Sequence, residues 1–404
     1  MISKKKLLIL TQWFDPEPVH KGLIFAKKLK DKGFDIEIIT GFPNYPTGKI
    51  YDGYKLKLFQ REYIDNIKIN RVFLYPSHDN SAFKRALNYI SFNIFASLYG
   101  ILFVNRPEII YAYHPPITVG VSAILLKLFF KVPLVYDVQD LWPDTLQATG
   151  IIKSKIIFNI ISIICKTVYK FSNKIVVLSP GFKAALIKRG VESKKIHIIY
   201  NWSNLKRKND FEKNIYDKDK FNIIFAGNIG KAQSLDTLTK SAELLLKKDS
   251  KANFIIIGDG LELKNLKSLA SRKNLTNIEF ISRVSSIEIG RFLENADALI
   301  VHLKKDKLFK ITIPSKTQTY MAYGKPLIMA VEGDAANLIK EAKCGFVCKS
   351  ENYKQIANCI DKLINLDKKD LTKLGENGIK YYDANLSLDS GIKKFTDIFN
   401  SLLK

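Results

Sequence analysis

The 404 residues carry 64 lysines and arginines against 39 aspartates and glutamates, a formal net charge of +25, with 47% hydrophobic and 25% charged residues. This length and composition predict two globular domains, each able to bury a core, and exclude a disordered chain. Only 9 of the basic residues are arginine, and no compact arginine-rich patch interleaved with aromatics occurs, so no nucleic-acid partner is expected and the charge points to a nucleotide, a lipid phosphate or an anionic membrane surface.

Lys4-Lys5-Lys6 and the apolar Leu7 to Leu10 superficially resemble a signal peptide, but the run is four residues long and soon meets Asp15, so a first strand is expected. Short apolar runs at 7–11, 35–40, 67–74, 108–113, 133–138, 174–178 and 196–200 predict strands, with helices such as 22–32 and 154–171 between them. Alternating strands and helices imply a parallel sheet covered on both faces. A polar, charged segment at 205–220 is the expected linker between domains 1–204 and 221–385. A second series begins there, with strands at 222–226, 253–258, 277–281, 298–303, 327–331 and 346–348. Leu388, Ile392, Phe395, Ile398 and Leu402 have helical spacing, so 386–404 is expected to be a helix packing back on the N-terminal domain.

Residues 81–104 are apolar almost all round, with Lys84 and Arg85 near the start; such a helix is either deeply buried or dips into a membrane surface. The longest apolar runs, 92–104 and 119–130, are interrupted by Asn93 and Lys127 and read as too short to span a bilayer. Cys165, Cys344, Cys348 and Cys359 form no Cys-x-x-Cys pair and are expected to be free thiols in a reducing cytoplasm.

The stretch Ile313-Pro314-Ser315-Lys316 through Gly324 to Val331 holds the clearest chemical signal. It predicts a helix opening at the carboxyl end of a parallel strand, where open α/β sheets bind ligands and a helix N-terminus attracts anions. Lys316 in the first turn opposes the helix dipole, which a bound anion would explain; a solvated lysine is the other reading. Further strand-end clusters are Tyr111 to Pro116 with His114, Tyr136 to Asp144 with Asp137 and Asp140, Phe225 to Lys231, and Gly258-Asp259-Gly260. Asp217-Lys218-Asp219 formally matches a metal-binding Asp-x-Asp, but it falls in the expected linker and no metal site is assigned to it.

Together, Phe42 to Gly48, Tyr136 to Pro143, Gly227 to Asp236 and Pro314 to Pro326 resemble the retaining glycosyltransferases of family 4, and within them the WbuB and colanic-acid-type transferases of bacterial surface-polysaccharide assembly. The resemblance covers nearly the whole chain. It implies the α/β GT-B fold, two Rossmann-like domains facing across a cleft, with the nucleotide-sugar donor in the C-terminal domain and the acceptor in the N-terminal one. It also implies retention of anomeric configuration without a metal or other cofactor. A UDP-linked donor, N-acetylated 6-deoxyhexosamine included, and a lipid-linked saccharide acceptor at the inner face of the cell membrane are the expected partners.

The residues at donor positions are Gly227, Asn228, Lys231, Gly258, Asp259, Arg283, Ser315, Lys316, Thr319, Glu332 and Asp334. His114, Trp13 and Gly22 are the acceptor-side candidates; His114 reads equally as a packed histidine, Gly22 as a plain tight turn and Asp334 as a helix cap. The family's two donor-gripping glutamates fall here at Ile311 and Thr319, its diphosphate-binding Arg and Lys at Asn228 and Gln233, and its histidine at Gln139. Lys316 is therefore expected to stabilise the departing diphosphate, and Asp137 or Asp140 to orient or deprotonate the acceptor hydroxyl. The missing glutamates suggest one alternative, a non-catalytic nucleotide-sugar-binding member of an assembly complex; a GT-B sugar-nucleotide epimerase and a two-domain sugar-binding receptor are the others.

Overall fold

The computed structural model describes residues 5–77, 81–148, 150–205, 207, 215–285 and 288–403. Two compact units emerge, Met1–Tyr200 together with Gly391–Lys404, and Asn201–Ser390. The divisions thus fall at 200/201 and 390/391 rather than at 204/205 and 385/386, and the expected linker belongs to the second unit. Residues 206 and 208–214 of that linker lie outside the described residues.

In the first unit, β1 (Lys5–Thr11), β2 (Phe34–Gly41), β3 (Phe59–Ile64), β4 (Ile67–Val72), β5 (Ile109–Tyr113), β6 (Leu134–Val138), β7 (Lys174–Val177) and β8 (Ile196–Ile198) form one sheet. The order is β3-β4-β2-β1-β5-β6-β7-β8. β5 and β6 are buried at every position, as apolar runs in a doubly covered parallel sheet should be. Only β3 runs antiparallel to its neighbour, joined to β4 by Asp65 and Asn66, both at positive φ (51° and 58°). Sequence patterning missed β3, a half-exposed edge strand without an apolar run; the Asp-Asn pair was its one signal.

Helices α1 (Leu23–Asp31), α2 (Ala82–Phe103), α3 (Thr118–Phe130), α4 (Asp144–Ala148), α5 (Lys155–Phe171) and α6 (Pro180–Lys188) make the connections. At 22 residues α2 is long and apolar enough to cross a membrane, which corrects the expectation from the interrupted apolar run. Its Asn88 is nevertheless buried, accepting from Gln12 Nε2 (2.5 Å) and donating to the Tyr75 carbonyl (2.7 Å), so α2 is tied into this fold.

The second unit is a wholly parallel sheet of β9 (Phe221–Ala226), β10 (Ala252–Ile257), β11 (Ile278–Ile281), β12 (Ala298–His302), β13 (Leu327–Ala330) and β14 (Gly345–Val347), ordered β11-β10-β9-β12-β13-β14. Around it lie α7 (Asp236–Leu246), α8 (Leu263–Arg272), α9 (Ile289–Glu294), α10 (Lys307–Lys310), α11 (Ser315–Ala322), α12 (Asp334–Ala342), α13 (Tyr353–Ile364) and α14 (Lys368–Asn385). Ile223, Phe225, Leu238, Ile256, Ile300 and Ile360 knit β9, β10 and β12 to α7 and α13 in one core. The final helix, α15 (Leu388–Leu402), packs into the first unit as expected: Phe395 meets Phe25 at 5.1 Å and Tyr111 at 5.6 Å, and Phe399 meets Phe34 at 5.6 Å between ring centres.

Candidate active site

The strand order of the second unit reverses between β9 and β12, and open α/β sheets take ligands beyond the carboxyl ends of strands at such a switch point. Two glycine loops meet there. The Gly227 N–H donates to the Ile257 carbonyl (2.9 Å), and the Ile229 N–H to the Asp259 carbonyl (2.8 Å). Gly258 has φ +148°, and a Cβ there would sit 1.9 Å from the Gly227 carbonyl oxygen, so only glycine lets the loops touch. Gly227, Asn228 and Lys231 are left exposed on this edge.

Helix α11 is clipped to the end of β9 by Tyr320, whose hydroxyl accepts from the Ala226 N–H (2.8 Å) and donates to the Ala226 carbonyl (3.2 Å). That clip aims Lys316 over the β9 terminus. Its Nζ lies 3.6 Å from the centre of the Phe225 ring, and a Cβ on Gly227 would come within 2.9 Å of it. The ammonium is buried with no hydrogen-bond partner among the described residues, and burial lowers its pKa to about 7. A buried, unpaired cation is costly unless a counter-charge arrives. Ser315 stands exposed beside it at the open helix end, which is preceded by Pro314 and has no side-chain cap.

His302, at the end of β12, holds the turn after β9. Its Nδ1 is 2.6 Å from the Gln233 carbonyl, and its Nε2 accepts from the Glu351 N–H (3.2 Å), which fixes the proton on Nδ1. Phe225, Tyr320 and His302 carry no signal in one dimension beyond their places at a strand end, in a short helix and in an apolar run.

The other donor candidates divide. Asp259 folds back to accept from the Gly260 N–H (2.7 Å). Thr319 is 3.1 Å from the Ser203 hydroxyl, which anchors the segment entering this unit. Arg283 is exposed after β11, the edge strand, with all of β10 between it and β9, so the fold does not bring it to Lys316. Glu332 lies 3.7 Å from Lys310, and Asp334 is the first residue of α12, whose N-cap is Gly333 rather than Asp334 itself.

In the first unit the corresponding reversal lies between β1 and β5. Beside it, the side chains of Lys21 and Asp137 form a fully buried ion pair at 3.2 Å. Asp137 also accepts from Tyr111 (2.6 Å) and from Gln139 Nε2 (2.5 Å). Both its oxygens are engaged away from solvent, so Asp137 anchors the strand ends and is not free to serve as acceptor base. Asp140 is the half-buried carboxyl of the pair, its pKa raised by burial.

Two further expectations are corrected. His114 is 1% exposed and packs edge-on against Trp142 at 5.2 Å; neither ring nitrogen has a partner among the described residues, and burial pushes its pKa down to about 3. It is a neutral packed histidine and not an acceptor contact. At Gly22 the helix N-terminus holds the chain's own anion: Asp15 accepts from the Leu23 N–H (2.5 Å), and a Cβ on Gly22 would meet that carboxylate at 2.0 Å. A phosphate has no room there.

Trp13 remains half-exposed on this edge, stacked on Tyr45 at 4.4 Å. Glu17 sets the stack, one oxygen accepting from the Asn44 and Tyr45 N–H groups (2.8 Å each) and the other from Phe14 (3.0 Å). Burial lifts its carboxyl to about 7. Nothing in the sequence distinguished Glu17 or Lys21 from surface charges of a loop.

Residues 23–207 match the model described as Glycosyltransferase Family 4, and residues 206–381 match Glycosyl transferases group 1. The chain belongs to the glycosyltransferases. An uncharacterized glycosyltransferase of Methanocaldococcus jannaschii is 26% identical with full coverage of both chains. The probable glycosyltransferase WbjE of Pseudomonas aeruginosa is 24% identical over 74% of this chain and 76% of its own. WcaI of Escherichia coli K12, which carries a provisional colanic acid biosynthesis name, is 23% identical over 88% of each.

This glycosyltransferase has the two-domain GT-B fold. Anabaena HepE in complex with UDP superimposes with a TM-score of 0.68 at 14% identity, covering 98% of this chain and all of that one. Sucrose-phosphate synthase from Thermosynechococcus elongatus gives 0.67 at 14%, over 98% and 99%.

Proposed function

We propose that this glycosyltransferase moves a sugar, with retention of anomeric configuration, from a UDP-linked donor to a lipid-linked saccharide in bacterial surface-polysaccharide assembly, without a metal. The carrying observation is the buried, unpaired ammonium of Lys316 over Phe225 beside the open end of α11. Glycosyl transfer builds positive charge at the anomeric carbon and negative charge on the departing diphosphate. Fixed cations and backbone N–H groups aimed at the diphosphate lower that barrier without reorganising. A helix terminus contributes up to about 2 kcal/mol when partly buried, so a side-chain cation is needed as well. Lys316 supplies it, with Lys231 on the same strand edge, and Asp140 orients the acceptor hydroxyl.

UDP as the nucleotide rests on its presence in Anabaena HepE, and the polysaccharide setting on the names of WcaI and of the capsular polysaccharide glycosyltransferase CapM of Staphylococcus aureus, 25% identical over 57% of each chain. A hexosyl or N-acetylhexosaminyl donor and a place on the inner face of the cell membrane complete the reading. Thermal-shift screening against UDP and a panel of UDP-sugars tests it, since a ligand of the native state raises apparent stability. Lys316→Ala is expected to lower kcat by about 100-fold or more with the fold intact. Wild-type turnover in that variant, or turnover that EDTA abolishes and a divalent ion restores, refutes it.

Thr319, at a position where the family resemblance implies a glutamate, favours a second reading: a member of the assembly complex that binds nucleotide sugar without transferring it. UDP binding with no transfer to any lipid-linked acceptor would establish that alternative.

A further inference from the structure

Helix α2 carries an outward stripe of large apolar residues at helical spacing: Leu87, Ile90, Ile94, Leu98 and Leu102 are all exposed. The stripe does not stop at α2. Gly100 of α2 packs on Leu126 of α3, and the Ser122 hydroxyl of α3 donates to the Asn93 carbonyl of α2 (3.0 Å). Gly120 of α3 in turn packs on Val168 of α5. The three helices therefore lie side by side. Leu125, Leu128 and Phe129 of α3 are exposed, as are Ile156, Ile160 and Ile163 of α5, Ile156 to 72%. An exposed apolar face spread over three neighbouring helices is the kind of patch that marks a protein or membrane interaction site.

Charge selects that partner. The helices α2, α3 and α5 contain no aspartate or glutamate, while Lys84, Arg85, Lys127, Lys155, Lys166 and Lys170 supply six cations. A second copy seated on the same face would set these cations against their equivalents with no carboxylate to answer them. A bilayer with anionic headgroups accepts both the apolar stripe and its basic rim, as in-plane amphipathic helices do. The polar side of α2 argues against spanning, because Asn88 and Tyr99 are buried in hydrogen bonds to Gln12 and Asn70.

We propose that α2, α3 and α5 form one continuous surface by which the first unit docks in the plane of an anionic membrane, α5 inserting its Ile156–Ile160–Ile163 ridge alongside α2. This goes beyond a lipid-linked acceptor and stands whether or not sugar transfer is found.

Co-sedimentation of the full chain, without donor or acceptor, with vesicles of phosphatidylethanolamine and phosphatidylglycerol (3:1), against pure phosphatidylcholine, tests it. The wild type should partition at least about tenfold more strongly onto the anionic vesicles, and raised salt should weaken that binding. Ile160→Asp/Ile163→Asp should lose about tenfold or more, while Ile24→Asp, at an equally exposed position on α1, should bind as wild type. Circular dichroism of the double variant checks that it is folded. Equal binding by wild type and double variant, or no wild-type binding to either vesicle, overturns the proposal. A wild-type dimer that the double variant abolishes, without vesicle binding, assigns the face to a second copy and overturns it equally.

Discussion

The Lys316 ammonium lies 3.6 Å from the centre of the Phe225 ring and donates to no acceptor among the described residues. The ring face offers partial negative charge, a weak substitute for a counter-ion. Burial accordingly holds this lysine at about 7, where an arriving diphosphate would drive it back to the charged form.

Nucleotide binding should therefore take up a proton. With the free lysine half-protonated near pH 7 and the bound one charged, affinity for UDP is expected to fall by up to about tenfold per pH unit above 7. Calorimetry at pH 8 in buffers of different ionisation enthalpy reads the uptake directly. Lys316→Met should abolish it, and buffer-independent heats in the wild type would contradict the assignment.

The Lys21–Asp137 pair makes a prediction about stability rather than chemistry. Lys21→Met leaves a carboxylate buried without its cation, at an expected cost of about 3–5 kcal/mol. Lys21→Met/Asp137→Asn should recover much of that loss. Urea unfolding of the two variants separates the outcomes; equal stability of the single variant and wild type would show that the pair is not needed.

His114 predicts acid sensitivity. Its folded pKa is depressed to about 3 by burial, below the ordinary value of 6.5, so the neutral form is the one the fold accommodates. Stability is fully present above pH 6.5 and is lost as pH falls towards 3, by about 1.4 kcal/mol per unit from this group. NMR should show no titration of its ring between pH 5 and 8. His114→Gln should flatten the corresponding part of the stability profile.

Gly258→Ala should damage nucleotide binding from behind the site. The new methyl meets the Gly227 carbonyl at 1.9 Å, and φ is +148°, so the loop after β9 must shift. A loss of about 1–3 kcal/mol in stability is expected, with weaker UDP binding in titration. Unchanged affinity would mean that the loop does not hold the ligand.

What the sequence disclosed follows from what fixes each feature. Apolar runs mark parallel strands because both faces of such a sheet are covered, so β5, β6, β12 and β13 were legible while the half-exposed β3 was not. Lys316 was legible because a cation in a helix's first turn contradicts the dipole, a local rule visible in one dimension. The locations of Asp137, His114 and Glu17 depend on partners more than twenty residues away, such as Tyr111 for Asp137 and Tyr45 for Glu17. No local rule reports which carboxylate points into the core. The α2–α3–α5 face is of the same kind: residues 81–104 alone read as either a buried or a membrane-surface helix, and only the adjacency of the three helices shows one continuous exposed apolar face.

The aromatic clasp of Phe395 and Phe399 on Phe25, Phe34 and Tyr111 bears on how the molecule is made. The first unit cannot close its core during synthesis until the whole second unit has left the ribosome, so it must wait, incomplete, while its neighbour folds. A chimera that exchanges N-terminal halves between relatives must carry residues 391–403 from the same parent, or it will pair a borrowed sheet with the wrong lid.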